Sequence, residues 1–227
     1  MIATVLLDLD DTIFDFKACE KQALEHTLCD FRIQFDDAAI CRYSEINDSV
    51  WKMLERGEIT RERLRVFRFE LFLREIGADV PAIPFADAYM THLSATGILL
   101  DGAIPFLEEL SKRYRLYAVT NGYEQTQRGR INAAKIGGYF RDIFISQCIG
   151  KVKPNKDFFD YCKEKTGFSN AETALVGDSL TSDVKGGVSY GLYTVWFNPK
   201  GDPQSGDVCP SAEAANYQEV LDLLRNR

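Results

Sequence analysis

Histidine is nearly absent from this chain: His26 and His92 are the two present in 227 residues. Cys19, Cys29, Cys41, Cys148, Cys162 and Cys209 show no Cys-x-x-Cys spacing, so zinc ligation is not expected. The thiols read as buried or incidental groups in a reducing compartment, and neither histidine stands beside a turn or strand end that would present it to a catalytic cysteine. Long apolar runs are missing too. Nothing is long enough to cross a bilayer, and the N-terminus lacks a basic segment followed by an apolar signal core. Positive charge is in deficit, with a formal net charge of -7 and no basic face emerging from the sequence. That balance argues against nucleic-acid polymers and anionic membranes as partners. The expectation is a cytoplasmic monomer or homodimer acting on a small molecule, with any anionic substrate requiring a local positive centre.

What is present is concentrated first at the N-terminus. Thr4-Val5-Leu6-Leu7-Asp8-Leu9-Asp10-Asp11-Thr12 is an apolar run that ends in a cluster of carboxylates. It reads as a buried parallel strand with a charged tip. Crowded like charges raise carboxylate pKa values unless a cation is present, so such a tip points to chemistry. Asp8 and Asp10, two residues apart, face the same side of an extended strand, where one can attack an atom while the other moves a proton. A strand followed by a helix N-cap explains the same residues without chemistry.

From residue 17 the pattern turns helical and stays so to residue 96. Leu24, Leu28 and Phe31 recur at helical spacing, as do Ile40, Tyr43, Ile46, Val50, Trp51 and Leu54. Thr60 caps a further helix carrying Leu64, Phe67 and Leu71, and another helix is expected over 85–94. Beyond it, short apolar strands at 116–119, 143–145, 174–177 and 193–196 alternate with helices, including 156–166, 183–190 and 217–224. The fold class is therefore α/β: a doubly wound parallel sheet with an inserted all-helical domain. The expected division is 1–16 with 97–227 as a Rossmann-like core, and 17–96 as the insertion. In open parallel sheets ligands bind beyond the carboxyl ends of the strands, where Asp8, Asp10, Thr120, Asn121 and Asp178 all fall.

Four groups then stand in fixed order: Asp8-x-Asp10-x-Thr12, Thr120-Asn121-Gly122, Lys153-Pro154, and Gly177-Asp178-Ser179 with Asp183. That order resembles the haloacid dehalogenase-like (HAD) superfamily, across core and insertion alike. The resemblance implies phosphoryl transfer, with Asp8 as nucleophile and Asp10 as general acid and base. It also implies Mg2+ held by Asp8, the backbone carbonyl of Asp10, and Asp178. Thr120, Asn121 and Lys153 would hold the phosphate, and Asp183 would orient Lys153. Asn-Gly sequences favour positive φ, which gives Gly122 a turn reading in any case.

The acid at Asp10 favours phosphate chemistry over dehalogenation. The insertion resembles a C1-type helical cap, which reads the leaving group. Finer likeness in Ile13-Phe14-Asp15-Phe16, Tyr43-Ser44-Glu45-Ile46-Asn47, Thr120-Asn121-Gly122-Tyr123 and Trp196-Phe197-Asn198 points to the bacterial pyrimidine 5'-nucleotidases. A nucleotidase needs an apolar platform and donors for a base, for which Phe14, Trp51 and Arg68 are candidates among the aromatics that otherwise pack a helical core. A phosphatase for sugar phosphates or phosphoglycolate, a sugar phosphomutase and a catalytically silent binding module are the alternatives.

Overall fold

The structure, a computed structural model, describes residues 1–204 and 206–227. Met1–Asp15 together with Ile98–Arg227 form one compact unit, and Phe16–Gly97 form another. Among the described residues no helix is long and apolar enough to cross a membrane.

In the first unit β1 (Thr4–Leu7) leaves its chemistry at its C-terminal tip, as the run of apolar residues before Asp8 requires. Among the described residues four helices make up the helical unit, and after it the chain re-enters with α5 (Ala103–Arg113) and β2 (Arg115–Thr120). There follow α6 (Glu124–Ala133), β3 (Asp142–Ile145), α7 (Ser146–Ile149), α8 (Lys156–Thr166) and β4 (Thr173–Gly177). A wide helical turn over Leu180–Val184 leads into α9 (Lys185–Tyr190), then β5 (Tyr193–Phe197), β6 (Ala212–Ala214) and α10 (Tyr217–Arg225). Among the described residues the strands form a six-stranded sheet in the order β3-β2-β1-β4-β5-β6. All neighbours run parallel.

That order places β1 centrally, where both faces need covering. Val5 and Leu7 pack with Ala118, Val176, Phe106 and Leu224 on one side. Leu6 packs with Val119, Leu175, Phe158 and Cys162 on the other. A strand covered on both faces is apolar throughout rather than alternating, which is why Val-Leu-Leu is legible as an interior parallel strand. Register pairs Leu7 with Ala118 and with Val176, so β2 and β4 run past the end of β1 by two residues and one, to Thr120 and Gly177. The edge strand β6 was not anticipated, because a three-residue strand carries too little pattern to read.

Just past β1, residues 13–15 and 98–100 run antiparallel as a short stem. Phe14 bridges Leu99, Asp15 N–H donates to Ile98 O at 3.1 Å, and Leu100 N–H donates to Ile13 O at 2.9 Å.

The second unit is all helical: α1 (Phe16–Asp30), α2 (Asp37–Glu55), α3 (Arg61–Glu75) and α4 (Ala82–Ala95). Asp36 caps α2 by accepting from Ala39 N–H at 2.9 Å, and Thr60 caps α3 by accepting from Arg63 N–H at 3.2 Å. Tyr43 stacks on Phe69 with ring centroids 5.3 Å apart, and Phe72, Phe85 and Tyr89 complete an aromatic centre. Beside it lies a buried polar chain. Arg68 donates to Asn47 Oδ1 at 2.7 Å, Asn47 Nδ2 donates to Glu20 at 2.8 Å, and Ser44 donates to the other Glu20 oxygen at 2.6 Å.

Candidate active site

Lys153 precedes α8 and turns inward. Its side chain is 1% exposed, and its three ammonium hydrogens meet three acceptors: Asp8 Oδ1 at 2.6 Å, Asp183 Oδ1 at 2.7 Å and Val119 O at 2.9 Å. Burial works against the charged amine, but Asp183 and Asp8 outweigh it and raise the Lys153 pKa above its usual value. The lysine is thus a fixed positive centre at the carboxyl edge of the sheet. Its backbone is fixed as well. Asn121, just after β2, donates through Nδ2 to Lys153 O and accepts at Oδ1 from Lys153 N–H, each at 2.9 Å.

Asp183 reaches this position because the chain after β4 makes a wide turn instead of a regular first helical turn, so the helix expected over 183–190 begins earlier and differently. The second Asp183 oxygen accepts from Ser179 N–H at 3.2 Å. Gly177 is required for this approach, since a Cβ there would lie 2.5 Å from the Asp183 carboxyl carbon. Asp178 sits beside them, with Thr12 Oγ1 3.5 Å from its Oδ1 and its carbonyl receiving the Trp196 indole N–H at 2.7 Å.

Asp8, Asp178 and Asp183 each offer a carboxylate oxygen, and these atoms lie within 4.8 Å of one another. Burial pushes the Asp8 carboxyl up to about 8, with Asp183 and Asp10 adding to the rise against the pull of Lys153. Burial and the neighbouring Asp8 and Asp183 likewise raise Asp178 well above the usual carboxylate range. One lysine does not neutralise three clustered acids. A set of oxygen donors with this surplus of negative charge suits a hard divalent cation.

Asp10 is two residues beyond Asp8, but the strand has already ended at Leu7 and its carboxylate has different partners. Arg130 Nη1 pairs with Asp10 Oδ1, and Gln127 Nε2 donates to Oδ2 at 2.8 Å. The same Gln127 nitrogen donates to Thr120 Oγ1 at 2.7 Å, and Thr120 Oγ1 also accepts from Gly122 N–H at 3.1 Å.

Residues 5–197 match the family described as haloacid dehalogenase-like hydrolase. The chain is 36% identical over 222 residues to the HAD-hydrolase YfnB of Bacillus subtilis, covering 97% of this chain and 94% of that protein. The chain belongs to the haloacid dehalogenase-like hydrolase family. It is 34% identical to the pyrimidine 5'-nucleotidase PynA of Streptococcus pneumoniae over 222 residues, with 97% and 94% of the two chains covered. A crystal structure of Bacillus subtilis YfnB, reported as bound to magnesium and as revealing interdomain movement, superposes with a TM-score of 0.94 at 35% identity. It covers 98% of both chains. With family and relatives of this kind the chain is an enzyme, a phosphatase of the HAD family.

Against that family background, several residues singled out in the sequence have different surroundings from those expected. Phe14 is fully buried in the core beneath the Arg130 guanidinium, 4.2 Å from its ring centre, so it supports Arg130 instead of offering a platform for a base. Arg68 is buried in the helical unit, bonded to Asn47 and lying over the rings of Phe69 and Tyr89. Trp51 is half-buried on α2, with the Arg61 guanidinium 6.0 Å from its ring centre. The Asn121 side chain bonds the Lys153 backbone through both its amide nitrogen and its amide oxygen. Gly122 does not adopt positive φ; a Cβ at that position would lie 2.6 Å from Gln127 Cγ, so close approach explains the glycine.

Gln127 and Arg130 themselves were missed by sequence reasoning. A signal existed: they lie three residues apart in the first two turns of the helix that follows Thr120-Asn121-Gly122, on the side facing the strand ends.

Proposed function

We propose that this HAD-family phosphatase hydrolyses nucleoside 5'-monophosphates, pyrimidine ones foremost, through a phosphorylated Asp8. The observation that supports this best is the buried Lys153 ammonium on Asp8 and Asp183, a positive centre that a chain of net charge -7 otherwise denies a phosphate. The pyrimidine preference rests on the similarity to PynA.

Asp8 Oδ1 is occupied by Lys153, which leaves its other oxygen to attack phosphorus. As the new P–O bond forms, the ester P–O bond breaks, and the departing oxygen takes its electron pair and a proton from Asp10. Asp10, now a carboxylate, removes a proton from water, whose oxygen attacks phosphorus as the P–O bond to Asp8 breaks, returning Asp8 as a carboxylate and releasing inorganic phosphate. Thr120 Oγ1 accepts from Gly122 and Gln127, so its own hydroxyl proton is the part left to donate to a phosphate oxygen. Asp183 holds Lys153 in place. Asp8, Asp178 and the backbone carbonyl of Asp10 would hold magnesium, which when bound offsets the charge of phosphate and carboxylates. Residues 16–97 are assigned the part of a cap that reads the leaving group. Free thiols at Cys19, Cys29, Cys41, Cys148, Cys162 and Cys209 fit a reducing cytoplasm.

Phosphate release with magnesium across a panel of nucleoside monophosphates and sugar phosphates tests the reading. The expected result is fastest turnover on uridine or thymidine 5'-monophosphate, abolished by Asp8→Asn in a folded protein. Best turnover on a sugar phosphate overturns the nucleotide assignment. Turnover by Asp8→Asn at the wild-type rate overturns the covalent route. Absence of magnesium-dependent p-nitrophenyl phosphate hydrolysis favours a silent binding module.

A further inference from the structure

Helix α6 carries Gln127 and Arg130 one turn apart, and both side chains return to the Asp10 carboxylate. Gln127 Nε2 holds Oδ2 at 2.8 Å while Arg130 Nη1 holds Oδ1. With a separate donor on each oxygen, the carboxyl plane cannot turn freely about its Cβ–Cγ bond. A carboxylate oxygen has two lone pairs, so each keeps one for a proton from outside. The carboxylate is also reachable: the Asp10 side chain is 32% exposed, whereas that of Arg130 is 1% exposed.

The clamp is itself held. The Arg130 guanidinium carbon lies over the Phe14 ring, 4.2 Å from its centre, and Gln127 Oε1 accepts from Arg130 Nη1 at 3.2 Å, which assigns the Gln127 nitrogen to Asp10. The second hydrogen of that nitrogen goes to Thr120 Oγ1 at 2.7 Å. One planar NH2 group therefore sets the spacing between a hydroxyl suited to phosphate and a carboxylate suited to proton transfer. A lysine at position 130 could match the charge, but not the planar fork or the ring stacking.

We propose that Gln127 and Arg130 are positioning residues that fix the direction in which the Asp10 carboxyl faces first the ester oxygen and then the attacking water. The proposal rests on the reading of Asp10 as acid and base. General acid–base catalysis is worth roughly 100- to 10,000-fold, and misplacing a reacting group by about 1 Å costs roughly 100-fold. Loosening the clamp forfeits part of that factor without removing the carboxylate.

The test uses the full chain with magnesium, comparing wild type with Arg130→Lys, Gln127→Met and Asp10→Asn on uridine 5'-monophosphate and p-nitrophenyl phosphate. An alkoxide leaves poorly without a proton; nitrophenolate leaves without one. In Arg130→Lys and Gln127→Met the expected kcat on the nucleotide falls about 10- to 100-fold, with KM within about threefold. On the nitrophenyl ester the first turnover stays near the wild-type rate and appears as a burst, followed by slow steady-state release, because breakdown of phosphorylated Asp8 still needs an aimed base. Gly122→Ala, which crowds Gln127, reproduces the Gln127→Met pattern.

Equal losses on both esters without a burst, or wild-type kcat on the nucleotide in folded variants, overturn the proposal. If Arg130→Lys does not fold, Gln127→Met and Gly122→Ala decide it by the same criteria. Asp10→Asn separates the two levels. A burst in Asp10→Asn but in neither clamp variant defeats the clamp alone, and wild-type turnover by Asp10→Asn on both esters defeats the acid–base reading together with it.

Discussion

Asn121 is bonded to the backbone of Lys153 in both directions, its amide nitrogen to the carbonyl and its amide oxygen to the N–H, each at 2.9 Å. A single side chain at the end of β2 thereby fixes the loop from which Lys153 reaches Asp8. Asn121→Leu is expected to lower stability by about 1–3 kcal/mol, at roughly 1 kcal/mol for each lost hydrogen bond. It should also lower kcat about tenfold or more through a displaced lysine. Urea unfolding and phosphate release check the two effects, and an unchanged kcat would count against the Lys153 role.

The buried acids make a prediction about pH. Asp8 has a pKa of about 8 in the fold against an ordinary value of 3.8, so the folded state favours its protonated form. For an acid raised in this way, the favourable contribution is present below about pH 4 and is lost as pH rises through about 8. A divalent cation bound to the ionised carboxylates opposes that loss. Saturating magnesium at about 100 times its dissociation constant adds about 2.7 kcal/mol. The rise in Tm on adding magnesium to chelator-treated protein should therefore be larger at pH 8.5 than at pH 5. An offset independent of pH would contradict the assignment of the cation to these acids.

Gly177 ends β4 with no room for a side chain, its added Cβ falling 2.5 Å from the Asp183 carboxyl carbon and 2.7 Å from the Asp183 Cβ. Neither of those atoms is the far end of a flexible chain. Gly177→Ala should destabilise the protein by about 1–3 kcal/mol, as other insertions into close packing do. It should also weaken magnesium binding by an order of magnitude or more, measured by calorimetry on folded protein. Retained affinity would show that Asp183 need not stand where it does.

Arg68 separates a substrate role from an interior one. Its guanidinium is buried, bonded to Asn47, and joined through Asn47 to Glu20. Arg68→Met should cost about 1.5–3 kcal/mol, the range for hydrogen bonds to charged groups, while KM for the preferred nucleotide changes less than about twofold. A large rise in KM at unchanged stability would restore Arg68 as a leaving-group contact.

What was legible in the sequence followed from periodicity and from chemistry at strand ends. β1 and β4 were visible because strands buried on both faces are continuously apolar, and α8 was visible from its helical spacing. Asp8 and Asp178 are nameable from their places at strand ends, Lys153 and Asp183 from the family resemblance alone, and the structure brings the four together. The hidden features depend on neighbours far along the chain. That Asn121 serves Lys153, and that Arg130 lies between Asp10 and Phe14, are facts of register and helix rotation that no local pattern carries. Phe14 illustrates the limit: an aromatic near a catalytic aspartate looks the same in sequence whether it faces a ligand or an arginine.

The short stem that joins residues 13–15 to 98–100 has a consequence of its own. To the catalytic core, the whole segment from Phe16 to Gly97 is topologically a hairpin loop, entering and leaving through one pair of adjacent strands. Grafting a different helical module onto that stem, or closing it with a turn of about two residues, leaves every sheet neighbour and every member of the acid–lysine cluster on its original backbone. If residues 16–97 read the leaving group, as proposed, selectivity is an exchangeable part, while the chemistry stays with the frame to which it is attached.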